Sequence, residues 1–138
     1  MKGKILALDF GLKRTGVAIT DENKIIASGL TTIDSRELMT FLDNLVQKEK
    51  IEQIIVGLPK KLNNKDSHIT SNVYLLKEAL EKQFPLIPVE LYDERFTSKM
   101  AFQTMIDSGL SKKQRQQKEL IDEISATILL QSFLQSIQ

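Results

Sequence analysis

Three carboxylates in this chain, far apart in sequence, could converge on one site: Asp9, Glu94 and Asp122. Asp9 closes the apolar run Lys4-Ile5-Leu6-Ala7-Leu8-Asp9-Phe10-Gly11. A buried carboxylate is costly unless it is paired or binds a metal, so Asp9 belongs where the strand emerges and needs a reason to be there. Glu94 stands at the end of a later strand, Val89-Glu90-Leu91-Tyr92-Asp93. Asp122 falls on the apolar side of a helical pattern: at about 3.6 residues per turn it shares a face with Ser125, Ala126, Leu129 and Phe133. The small Ser125 and Ala126 would let that helix approach a sheet closely. The preference of helix starts for negative charge is the plain alternative for Asp122.

Oxygen ligands suit Mg²⁺ or Mn²⁺, which keep several waters and complete their shells with substrate phosphates. The chain has no cysteine and one histidine, His68, so thiolate metal sites are excluded. Two such ions can activate a water and stabilise the leaving oxygen in phosphodiester cleavage, with no histidine base required. His68 sits in a polar loop and reads as a surface residue rather than a catalyst.

Basic residues crowd the same places. Lys13 and Arg14 lie beside Asp9, and Lys112, Lys113, Arg115 and Lys118 lead into Asp122; Lys60, Lys61 and Lys65 form a third cluster. Each alone reads as a solvated surface. Beside three carboxylate motifs they suit a nucleic-acid backbone, with salt-dependent binding and no evident base-reading code. Arg95 reads equally as a phosphate contact or as the partner of a neighbouring carboxylate. The two Tyr and six Phe are scattered at core spacing, so no stacking platform for bases is evident.

The elements that must position these residues follow from hydrophobic periodicity. Residues 3–10, 15–21 and 25–33 read as strands joined by links too short for anything but an antiparallel meander. Asp34 reads as an N-cap with Glu37 three residues on, a capping-box spacing. Leu38, Phe41, Leu42, Leu45 and Val46 then give a helix one apolar face. Residues 53–58 form a short buried strand stopped by Pro59, parallel to the first strand because a helix precedes it. A polar loop spans 60–67, a helix 69–84 and a fifth strand 89–93, after which Glu94 leaves the sheet. A short helix capped by Thr97 or Ser98 and ended by Gly109 precedes the basic stretch 111–118. The last helix runs from about 119 to 135. The expected fold is α/β: a mixed five-stranded sheet, three antiparallel strands then two parallel ones, with helices on its faces. Sites in such sheets gather at the carboxyl ends of parallel strands, where Asp9, Gly57 and Glu94 all fall.

A chain of 138 residues fits one domain, 1–138, and shows no repeat or linker. Its 41% hydrophobic and 27% charged residues are ordinary for a globular protein, and its net charge of +1 neither favours nor excludes nucleic acid. The start of the chain enters a strand directly and no apolar run approaches about 18 residues, so a cytoplasmic location and no membrane segment are expected.

At these residues the sequence resembles the YqgF family, RNase H-fold proteins described as Holliday junction resolvases and as pre-16S rRNA nucleases. The resemblance spans nearly the whole chain and rests on four motifs in order. They are Leu6-Ala7-Leu8-Asp9-Phe10-Gly11 with Lys13-Arg14-Thr15-Gly16-Val17-Ala18, Ile55-Val56-Gly57-Leu58-Pro59, Asp93-Glu94-Arg95-Phe96-Thr97-Ser98, and the closing helix with Ile121-Asp122 and Ile128-Leu129-Leu130-Gln131. It implies an RNase H-like fold, with Asp9, Glu94 and Asp122 as metal-binding catalytic carboxylates. It also implies processing of the 5′ end of pre-16S rRNA, ahead of cleavage of four-way DNA junctions, with ribosomal particles as partners. The chain departs from the family pattern after Pro59, where Lys60-Lys61-Leu62-Asn63-Asn64-Lys65 lacks the usual Asp-Gly turn, and at Ser125, where alanine is frequent.

Two other classes share part of the pattern. An ATP-binding fold related to sugar kinases and actin also opens with Asp-x-Gly and a hairpin, but needs two lobes, and 138 residues supply one. A non-enzymatic nucleic-acid-binding or ribosome-assembly module is the other. Three anions facing a phosphate backbone would serve such a binder nothing. A resolvase would act as a symmetric dimer, whereas an RNA-processing enzyme works equally as a monomer.

Overall fold

The computed structural model describes residues 3–59, 68–94 and 118–137. Its five strands are β1 (Lys4–Phe10), β2 (Arg14–Thr20), β3 (Ala27–Asp34), β4 (Ile51–Pro59) and β5 (Val89–Glu94). The α-helices among the described residues are α1 (Leu38–Lys48), α2 (His68–Gln83) and α3 (Lys118–Ser136). The sheet order is β3-β2-β1-β4-β5. β2 pairs antiparallel with both β1 and β3, while β4 runs parallel to β1 and β5 parallel to β4. The expected mixed sheet is met, with the first strand at its centre.

Because strand side chains alternate between faces, β1 is buried twice over. Leu6 and Leu8 join Val17, Ile54 and Val56 in a core covered by Leu38 and Leu42 of α1 and Val73, Leu76 and Leu80 of α2. Ile5 and Ala7 join Ala18, Ala27 and Ile55 beneath Ala126, Leu129, Leu130 and Phe133 of α3. The second face is built of smaller side chains, and α3 lies close upon it. The β5 end of α3 is fixed by Tyr92, whose ring meets Phe133 edge-on at 5.6 Å and whose hydroxyl reaches Ser132 Oγ at 3.1 Å.

Several boundaries differ from expectation, each for a local reason. Ile25 and Ile26 lie outside β3 and are exposed. The Asp21 carboxylate accepts from their backbone N–H groups, both at 2.8 Å, and makes a loop where a strand was expected. Asp34 does not open a capping box: it caps a single 3₁₀ turn, Ser35–Glu37, by accepting from Arg36 N–H at 2.9 Å. Glu37 is then the residue before α1 and makes no side-chain cap bond there. Pro59 does not stop β4 but is its last residue, paired with Glu94, so Glu94 belongs to β5 rather than to the exit from it. At a strand end the missing proline N–H costs little. The expected loop at 60–67, the short helix after Thr97 or Ser98 and the basic stretch 111–117 lie outside the described residues.

Candidate active site

The site begins with a hairpin. β1 turns into β2 over Gly11, Leu12 and Lys13, closed by Gly11 N–H donating to the Arg14 carbonyl at 3.0 Å. A side chain at position 11 would stand 2.6 Å from that carbonyl, so the turn requires glycine. Ser35 fastens the turn from outside. Its N–H donates to the Lys13 carbonyl at 2.9 Å, its hydroxyl donates to the Gly11 carbonyl, and Thr15 Oγ1 lies 2.9 Å from Ser35 Oγ. The loop that carries Lys13 and Arg14 is therefore held by the 3₁₀ turn after β3. Sequence reading gave Ser35 no role, because one serine in a polar link carries no periodic signal.

Strand alternation sorts the functional residues by face. Asp9 follows Ile5 and Ala7 in the row of β1 that lies under α3, and Arg14 and Gly16 share the row of Ala18 in β2. Asp9 pairs directly with Gly16. Gly16 has the Asp122 backbone carbonyl of α3 against it, where any Cβ would overlap that oxygen. So one glycine, in register with one carboxylate, seats the helix turn that carries the second. Asp9 and Asp122 are brought to the same corner of the sheet, as expected. Thr32 of β3 adds a bond from its hydroxyl to the Glu119 carbonyl at 2.5 Å, which fastens the first turn of α3.

Glu94 reaches this edge through register. Leu8 pairs with Val56, which brings Asp9 level with Gly57, and Gly57 pairs with Tyr92, two residues before Glu94. Glu94 thus ends β5, paired with Pro59, at the carboxyl end of the parallel strands.

Asp122 is half-buried and accepts from Arg14 Nε at 2.9 Å. Arg14, expected to bind nucleic acid, is thus a partner of a candidate metal ligand as well. It also borders a cavity of about 470 Å³ lined by Leu12, Lys13, Asp34 and Arg36. Arg36 grips Asp34 through two bonds, Nη2 to Oδ2 at 2.9 Å and Nε to Oδ1 at 3.1 Å. The Arg36 guanidinium, with its backbone N–H, holds the Asp34 carboxyl down to about 2. Arg36 is a second residue that sequence reading passed over; its cation lines the cavity only because the 3₁₀ turn folds back on the hairpin. The candidate residues Arg95, Lys112, Lys113 and Arg115 lie outside the described residues, and the Glu94 and Lys118 side chains do as well.

The donors present suit a hard divalent cation. Asp9 and Asp122 supply carboxylate oxygens on one face, and the described residues include no cysteine. One helical turn beyond Asp122, Ser125 is buried and its hydroxyl has no hydrogen-bond partner among the described residues. A buried hydroxyl left in that condition is costly and calls for an acceptor or a water. No cluster of three acidic or histidine side chains occurs among the described residues, and Glu94, the expected third member, has its side chain outside them.

A mixed sheet of this order, with carboxylates at the carboxyl ends of its parallel strands under a closing helix, defines an RNase H-like nuclease fold of the resolvase type. The fowlpox virus resolvase, solved with Holliday junction DNA, superimposes with a TM-score of 0.62 at 15% identity over 97% of this chain and 98% of that one. T. thermophilus RuvC, solved with a Holliday junction substrate, gives 0.58 at 15% identity over 98% and 96%. The family model described as "RuvX: Holliday junction resolvase" matches residues 3–136, and the chain belongs to that RuvX (YqgF) family of nucleases. A relative from Flavobacterium psychrophilum, named provisionally a pre-16S rRNA nuclease, is 56% identical over 131 residues, 95% of this chain and 96% of its own length. Among the described residues no helix is long and apolar enough to cross a membrane.

Proposed function

We propose that this nuclease hydrolyses phosphodiester bonds at the 5′ end of precursor 16S rRNA, in the cytoplasm, with Asp9, Glu94 and Asp122 holding divalent Mg²⁺ or Mn²⁺. The observation that supports this reading is the Asp9–Gly16–Asp122 stack, in which Asp9 pairs with Gly16 and the Asp122 backbone lies against Gly16, so that residues 9 and 122 share one corner of the sheet. Divalent ions held there would activate a water and stabilise the leaving oxygen. Asp9, on a strand buried on both faces, is a rigid ligand position. Asp122, on a helix seated by contact between backbones, is a second one. Lys13 and Arg14, on the adjoining turn, neutralise substrate phosphates and give binding its salt dependence. Arg95, beside Glu94 in sequence, and Lys112, Lys113, Arg115 and Lys118, which precede Asp122, are further candidates for phosphate contacts. The RNA substrate is supported by the name of the F. psychrophilum relative.

A second reading has its own support. The family description names Holliday junction resolution, and both solved structures above carry junctions. The two are separated by offering an end-labelled precursor 16S rRNA leader and a four-way DNA junction to native protein and to Asp9→Asn, with Mg²⁺ or Mn²⁺. The proposal expects metal-dependent RNA cleavage that falls at least about 100-fold in the variant, since several kcal/mol of charge stabilisation is lost at roughly 1.4 kcal/mol per tenfold. Paired nicks in the junction without RNA cleavage would replace it with the resolvase.

A further inference from the structure

The Arg14–Asp122 pair poses a problem for a metal site. A cation 2.9 Å from a carboxylate oxygen competes with any second cation that the same oxygen would ligate. The pair is also not deeply enclosed: the side chains of Arg14 and Asp122 are 31% and 27% exposed. Such a pair is weak enough to exchange. Arg14 has somewhere to go, because it borders the 470 Å³ cavity beside Lys13 and Arg36. With Asp34 neutralising Arg36, Lys13 and a released Arg14 would leave that cavity net positive, and a planar guanidinium suits a phosphate's oxygens.

We propose that Arg14 is a latch on Asp122. It holds the carboxylate in position while no metal is bound, and passes to a backbone phosphate of the substrate in the adjoining cavity when Asp122 takes up the ions. This rests on the reading of Asp122 as a metal ligand. Arg14 is then a positioning residue for Asp122 before turnover and a phosphate contact during it. The exchange also couples the two binding events: a metal ion that releases Arg14 strengthens substrate binding, and by reciprocity the substrate strengthens metal binding.

The test is Mn²⁺ binding to the protein without nucleic acid, followed by electron paramagnetic resonance of the free ion, for native protein, Arg14→Gln and Arg14→Lys. The latch predicts that Arg14→Gln binds Mn²⁺ about two- to fivefold more tightly, the scale of a half-exposed ion pair removed. The same variant should bind RNA more weakly, with the slope of log affinity on log salt reduced by about 0.7–0.9. Arg14→Lys, which keeps a cation at the position, should return Mn²⁺ affinity to near the native value. A purely structural Arg14 predicts the opposite sign, because a loosened Asp122 binds metal less well. Equal or weaker Mn²⁺ binding by Arg14→Gln therefore overturns the latch. In the native protein the Arg14 Nε–H resonance should shift during a Mg²⁺ titration, and an unchanged resonance at saturation also overturns it. Failure of the native protein to bind either ion would remove the metal-site reading itself, and the latch with it.

Discussion

Beside the hairpin of the site, Asp34 and Arg36 form an ion pair that shifts the ionisation of both. Two side-chain bonds from Arg36 and one from its backbone N–H stabilise the charged carboxylate, so the Asp34 carboxyl falls from 3.8 to about 2, and the same contact raises Arg36. A depressed carboxyl pKa contributes stability that is present above the unfolded value and is lost as pH falls through the folded one. The window is therefore pH 3.8 down to about 2. Arg36→Gln removes the largest cause and leaves the backbone bond. In a carbon-13 titration of the Asp34 carboxyl, the variant midpoint should rise towards 3.8, and its stability should converge with that of the native protein as the pH drops through this window. A midpoint that stays near 2 would mean the backbone bond alone holds the cap. Residue-scale polar contacts such as this one were the least legible in the sequence. Asp9 and Asp122 stood out because each interrupts an apolar pattern, and Glu94 because it falls at the carboxyl end of a strand. Ser35, Arg36 and the Arg14–Asp122 bond interrupt nothing, and arise from contacts between residues as far as 108 positions apart.

At the scale of elements, the position of α3 decides whether a site exists. Gly16 lets the Asp122 carbonyl lie on β2, and Ala18, Ala7 and Ala126 continue the small-residue seam. Gly29 does likewise at the edge, where a Cβ would stand 2.6 Å from Glu123 Oε1, a side chain able to move. Gly16→Ala has no such escape, since its obstacle is backbone. We expect that variant to lose roughly 1–3 kcal/mol in denaturant unfolding, the scale of overpacking, and to lose cleavage beyond what its folded fraction explains. Unchanged stability would show that α3 is free to shift. The sequence announced this seam in part: Ser125 and Ala126 marked a helix built for close approach, and the expected face with Leu129 and Phe133 is the buried one. It did not announce that Gly16 was the opposite half, because a glycine after a basic turn reads first as part of the turn.

At the scale of the molecule, the two faces of the sheet do different work. The face under α1 and α2 is packed mainly with larger aliphatic side chains, among them Leu6, Leu8, Ile54, Leu38, Leu42 and Leu80. The face under α3 trades side-chain bulk for approach and carries the carboxylates at its open end. This division explains why topology was readable early. Short links require antiparallel neighbours and helical crossovers suit parallel ones, so the link lengths already told the strand directions, while the full order β3-β2-β1-β4-β5 came from the structure. Their ends were less legible, because a capping aspartate at 34 and a loop-forming aspartate at 21 act through local hydrogen bonds that leave no periodic trace in the sequence.

The central claim is that Asp9, from the first strand, and Asp122, from the closing helix, form one hydrolytic site. The most direct measurement is the cleavage rate of the precursor rRNA leader by Asp9→Asn, Asp122→Asn and the double variant under saturating metal. Residues that act as a unit are strongly non-additive. One shared site predicts that the double variant is no slower than the worse single variant, within about threefold. Multiplying losses, or full activity in either single variant, would contradict it and separate the two carboxylates that the fold brings together.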